Sequence, residues 1–107
     1  MPHPPALSQQ ETITLAETFR LLGDSTRLRI LLYCLSDARS VGEIATALDL
    51  SQSLVSHHLR LLRSARLVRG ERRSRQVFYA LADQHVSTVL ADMANHITEE
   101  RVSIQDC

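Results

Sequence analysis

Apolar residues recur along most of this chain with helical spacing, and one stretch past its middle changes to the shorter repeat of strands. Residues 1–10 are Pro-rich and polar and read as a flexible arm. A first helix is expected from about Glu11 to Leu22, with Leu15, Phe19 and Leu22 on one side. Gly23-Asp24-Ser25 breaks it and caps a second helix, where Leu28, Leu31, Leu32 and Leu35 repeat at i, i+3, i+4 and i+7. Ser40 followed by Glu43 forms a capping box, in which each side chain can bond the other's backbone N–H. It opens a third helix with Val41, Ile44, Ala45 and Leu48 as its apolar stripe. Asp49-Leu50 marks a tight turn, and Ser51 caps a fourth helix running to about Ser64. Two short strands follow, Leu67 to Arg72 and Gln76 to Leu81, joined through Arg73-Ser74-Arg75. A last helix spans about Asp83 to Arg101, leaving residues 102–107 as a tail. With no repeat in view, residues 11–101 read as one domain.

Helix, short turn, helix and hairpin is the layout of a winged helix-turn-helix, mainly α with a small β-hairpin. Along the fourth helix Val55, Leu59 and Leu62 face inward, while Ser53, Ser56, His57 and Arg60 form a polar stripe. A polar stripe alone is usually a solvated face. Beside a helix-turn-helix turn and an arginine-rich hairpin, it reads as a surface for double-stranded DNA. Ser51-Gln52-Ser53 then enters the major groove first, and Arg72, Arg73 and Arg75 reach flanking phosphate or minor groove. His58 turns towards the apolar side and reads as a packing residue.

Composition changes this picture in two places. The chain has 107 residues, 44% of them hydrophobic, enough for one core and small enough to gain from dimerisation. Its formal net charge is zero, which alone argues against a nucleic-acid partner, but the charge is polarised. Arg60, Arg63, Arg66, Arg69, Arg72, Arg73 and Arg75 face only Glu71 between His57 and Gln76, and the last helix is acidic. All 12 basic residues are Arg, which suits phosphate contact, although a GC-rich genome would give the same bias. No apolar run approaches the length of a membrane span, and Met1-Pro-His-Pro-Pro lacks a signal-peptide pattern, so a cytoplasmic protein without a membrane partner is expected. Cys34 and Cys107 are too few for a disulfide framework or a Cys-x-x-Cys metal site.

The last helix carries Asp83, His85, His96 and Glu99, spaced D-x-H-x(10)-H-x-x-E. Eleven residues separate the two histidines, which therefore share a face but lie about 16 Å apart along the axis. One helix cannot bring both to one ion. Two copies packed antiparallel can, with residue i opposite residue 181−i, so that His85 meets the second copy's His96 and Asp83 falls within about a turn of its Glu99. Val86, Val89, Leu90, Met93 and Ile97 would line that seam, crossing at Leu90/Ala91, with Ala91 and Ala94 allowing close approach. A homodimer with two symmetric sites follows, each holding two imidazoles and two carboxylates, a set suited to tetrahedral zinc. Taken singly, Asp83 also fits as a helix N-cap and Glu99 as a solvated charge. Two imidazoles and a carboxylate also occur at hydrolytic zinc centres, but no general base or oxyanion donor accompanies them and a fourth ligand would close the site. An enzyme is not expected.

Three stretches together carry a resemblance: Leu21-Leu-Gly-Asp-Ser-Thr-Arg-Leu-Arg-Ile30, Ser51-Gln-Ser-Leu-Val-Ser-His-His-Leu-Arg-Leu-Leu-Arg63 and Val77-Phe-Tyr-Ala-Leu81. Over about residues 11–101 the chain resembles the ArsR/SmtB family of bacterial metal-responsive repressors. The resemblance implies a winged-helix dimer that represses a metal efflux or sequestration operon and loses operator affinity when metal binds. The pattern on the last helix resembles the zinc-sensing branch, implying Asp83, His85, His96 and Glu99 as ligands and Zn2+ as allosteric inducer. Sensors of arsenic, lead and cadmium in the family place cysteines in the third helix, where this chain has Ser40-Val-Gly-Glu-Ile44. Nickel- and cobalt-sensing members resemble it on the last helix but add histidines, and here His3 is the only spare. A nickel or cobalt sensor, or a repressor of the same fold answering to thiol oxidation, is the alternative.

Overall fold

The computed structural model describes residues 4–106, with side chains from Pro4 to Glu99. The elements run α1 (Gln9–Leu22), α2 (Ser25–Tyr33), β1 (Arg39–Ser40), α3 (Val41–Leu48), α4 (Gln52–Ser64), β2 (Val68–Arg73), β3 (Gln76–Leu81) and α5 (Gln84–Asp106). The starts of α1 to α4 are fixed by side chains that satisfy otherwise orphaned N–H groups. Asp24 accepts from Arg27 N–H, Ser51 accepts from Leu54 N–H, and Ser40 and Glu43 bond reciprocally. Ser8 and Glu11 form a second reciprocal box, which starts α1 at Gln9, two residues before the expected Glu11. His3 and Cys107 lie outside the described residues.

Helix ends matter as much, because they aim α4. Asp49 turns the chain out of α3 in the left-handed conformation (φ 56°, ψ 53°), and Leu50 N–H donates back to Ala45 O at 2.9 Å. That turn swings the chain from α3 directly into the Ser51 cap. At the far end of α4, Arg66 (φ 61°) does the same, with Leu67 N–H donating to Leu62 O at 2.9 Å, and the chain enters the hairpin.

The sheet is antiparallel in the order β1-β3-β2. Val68 pairs with Leu81 and Arg73 with Gln76, leaving Ser74-Arg75 as a two-residue loop with positive φ at Ser74. The third strand, β1, pairs Arg39 with Tyr79 and Ser40 with Phe78; two residues are too few to show an alternation. The core gathers Ile30 and Leu31 from α2 and Cys34 just past its end, Ile44 and Ala45 from α3, and Val55, Leu59 and Leu62 from α4, with Leu67, Val68, Leu81 and Leu90 closing it. Helix α1 buries no residue fully. No helix among the described residues is long and apolar enough to cross a membrane.

Candidate nucleic-acid interface and metal half-sites

Helix α4 is divided by burial much as its periodicity requires. Val55, Leu59 and Leu62 are buried, Gln52, Ser53, His57 and Arg60 are exposed, and Ser56 is half-buried. The face left open is therefore polar, with amide, hydroxyl, imidazole and guanidinium groups that can meet base edges and phosphates. Ser53 Oγ lies 3.3 Å from the Ser51 cap hydroxyl, which ties the first turn together. His58 points inward and is buried, accepting at Nδ1 from Arg27 Nε at 3.2 Å.

The hairpin holds its arginines unequally. Arg69, Glu71 and Arg73 alternate along β2 and so share one face. Glu71 bridges both neighbours, 2.6 Å from Arg69 and 3.0 Å from Arg73, whose guanidinium also lies 5.0 Å from the Phe78 ring centre. The Arg73 hydrogen bond, followed by the Arg69 charge, holds the Glu71 carboxyl below its ordinary pKa. Arg72 and Arg75 are exposed and make no ion pair among the described residues. Arg73, expected at phosphate, is thus engaged within the chain. The period-two alternation Arg69-x-Glu71-x-Arg73 is the sequence signal for that bridge.

On α5 the four ligand candidates fall into two pairs. Asp83 caps the helix, its Oδ1 accepting from Val86 N–H at 3.0 Å, and His85 follows in the first turn. His96 and Glu99 stand near the far end of the described side chains, one turn apart on one face. All four are exposed. No group of three or more His, Cys, Asp or Glu able to hold a metal forms within the described residues of one chain. One chain thus offers imidazole and carboxylate in pairs, a donor chemistry that fits zinc but needs more ligands than either pair has.

The apolar seam differs from expectation. Leu90 is only 6% exposed and joins its own chain's core, with Val86 packed beside it. Both lie about 100° or more around the helix from His85, on the side turned to the body of the molecule. What remains open is Val89, Met93 (54% exposed) and Ile97 (62%), together with Leu15 and Phe19 (57%) of α1. A groove of about 180 Å3 between α1 and α5, lined by Leu15, Phe19, Leu22, Val89 and Leu90, has His85 on its wall.

Cys34, the free cysteine among the described residues, is buried, and burial pushes its thiol up to about 11. It is protonated at neutral pH and poorly placed to react with an oxidant.

Residues 24–69 match the family model described as bacterial regulatory protein, arsR family. The chain is 40% identical over 96 residues to a transcriptional repressor SmtB homolog of Synechocystis sp., covering 90% of this chain and 73% of that one. It is 37% identical over 99 residues to the HTH-type transcriptional repressor SmtB of Mycobacterium tuberculosis, covering 92% and 73%. Among solved structures, it superposes on the solution structure of apo-NmtR with a TM-score of 0.74 at 35% identity, over 92% of this chain and 84% of that one. These relatives are named as regulators, not as enzymes.

Proposed function

The chain belongs to the ArsR/SmtB family of bacterial metal-responsive transcriptional repressors, and we propose that it binds operator DNA as a homodimer and is released by zinc held between the two α5 helices. The observation that carries this reading is the division of α5: an exposed apolar strip, Val89, Met93 and Ile97, with Asp83 and His85 before it and His96 and Glu99 towards its end. An exposed strip of this kind, continued by Leu15 and Phe19, calls for a cover, and a second copy laid antiparallel supplies one. The same arrangement brings each incomplete pair of donors to the other. Asp83 keeps Oδ2 for a second partner while Oδ1 caps the helix. Bound zinc would supply a cross-link between the two helices.

DNA would be met by Gln52, Ser53, Ser56, His57 and Arg60 from each copy, with Arg72 and Arg75 of the wing on flanking phosphate and Arg73 joining them on leaving Glu71. Coupling demands that the metal-bound dimer fit DNA less well, by about 1–3 kcal/mol for a switch of ordinary strength. Imidazole and carboxylate donors favour zinc, with cobalt and nickel next, and α3 supplies no thiolate for softer ions.

The test is a titration of DNA-bound protein with zinc, cobalt, nickel and cadmium in turn, read by fluorescence anisotropy. Zinc is expected to release DNA at the lowest concentration. Release by none of the four would end the metal reading. Bridging is tested separately: His85→Ala and His96→Ala subunits, mixed, should form heterodimers with one intact site, whereas neither variant alone has any. A mixture that binds no more zinc than its components would show that the ligands do not bridge copies.

A further inference from the structure

Arg27 joins three elements. Its backbone N–H donates to the Asp24 cap at 3.0 Å, its Nε donates to His58 Nδ1 on α4 at 3.2 Å, and its Nη1 reaches the Leu21 carbonyl of α1 at 3.5 Å. His58 is 8% exposed, so this contact is made largely out of water. To accept at Nδ1 the ring must be neutral, with its proton on Nε2. The neighbouring residue, His57, is exposed about 100° further round the helix, its ring centre 5.5 Å from that of His58. Holding His58 inward therefore fixes which way His57 points. It also sets Ser53, Ser56 and Arg60, because all five side chains turn together with the helix.

We propose that Arg27 is a positioning residue for DNA recognition, locking the roll of α4 through His58, and that this lock makes DNA binding fail in mild acid. The proposal rests on the reading of α4 as the recognition helix. A proton on Nδ1 removes the acceptor that Arg27 needs and sets two cations side by side. Arg27 and Asp24 from α2 and His57 from its own helix are the charged and titratable groups around His58. Burial first, then the Arg27 charge, hold its pKa below the ordinary value; Asp24 opposes this, and His57 adds to it. Docked His58 thus binds fewer protons than undocked His58. The lock is complete above the ordinary imidazole pKa of about 6.5, weakens below it, and is lost as pH passes through the lowered docked value.

The experiment uses metal-free full-length protein and a labelled duplex enriched from a random library by the wild type at about pH 7.5, with affinity measured down to about pH 5.5 at fixed salt. A His57→Gln background removes the cation that His57 itself would offer DNA in acid. In that background affinity is expected to fall with pH, by at most roughly a hundredfold per pH unit, one linked proton from each copy of the dimer. Adding His58→Gln keeps an acceptor for Arg27 but no titrating group, and should bind as well at the upper pH and give a flat profile. Adding Arg27→Met should weaken binding at the upper pH and flatten the profile, with the circular dichroism spectrum unchanged. An Arg27→Met protein that binds undiminished, or a His58→Gln protein that keeps the acid loss, would overturn the proposal while leaving the DNA reading intact. Failure of the wild type to enrich any duplex would overturn both.

Discussion

Glu71→Gln removes one negative charge from the hairpin and unties two guanidiniums, since the carboxylate stands 2.6 Å from Arg69 and 3.0 Å from Arg73. The fold should tolerate it. Both arginines are more than half exposed, and ion pairs in such surroundings contribute little to stability. The effect on DNA binding should be larger and should show in its salt dependence. Each phosphate neutralised adds about 0.9 to the slope of log affinity against log salt, so the two arginines freed in each copy of the dimer steepen it by about 1.8 to 3.6. Over a fourfold rise in salt, from about 50 to 200 mM, that is an extra loss of roughly twelve- to 150-fold for the variant relative to the wild type, with tighter binding at the low end. Fluorescence anisotropy of the metal-free protein on one duplex, repeated across that range, measures both. An unchanged slope would mean that the β2 face carrying Arg69 and Arg73 does not reach phosphate. A shallower slope would mean that Glu71 orients the two arginines for DNA rather than withholding them.

Arg60→Ala and His57→Ala should each weaken DNA binding, by about 1–3 kcal/mol where the lost contact is to a base, and leave zinc affinity as it was; unaltered DNA binding in both would remove α4 as the recognition helix. Leu90→Ala should cost about 2–5 kcal/mol of fold stability in chemical denaturation, because that side chain sits in its own chain's core. Ile97→Ala, at an open position, should leave the unfolding of the monomer nearly unchanged and instead raise the protein concentration at which sedimentation shows dimers. The opposite pattern would place Leu90, not Ile97, in the contact between copies.

Local chemistry was legible wherever one residue and its near neighbours decide the outcome. The Asp24, Ser40 and Ser51 caps stand where their side chains predict, and the inward and outward faces of α4 follow from its periodicity. The Ser8 to Glu11 box obeys the same rule but was masked by the Pro-rich stretch before it. Contacts between distant segments were not legible. Nothing in the order of residues says that Arg27 will meet a ring 31 positions later, or that a two-residue strand will find β3. Helix α5 shows the limit most clearly, because its apolar residues serve two surfaces at once. Val86 and Leu90 pack on the chain's own core, whereas Val89, Met93 and Ile97 stay open, and periodicity alone cannot divide one stripe between an inner and an outer partner. The division has a functional meaning under the proposed reading. If Leu90 anchors α5 to the body that carries α4, and Met93 and Ile97 anchor it to a second copy, a cross-link between the two α5 helices need not touch the DNA-binding surface to act on it. It has only to shift one anchored helix against the other, and each recognition helix moves with the core to which its own α5 is fixed.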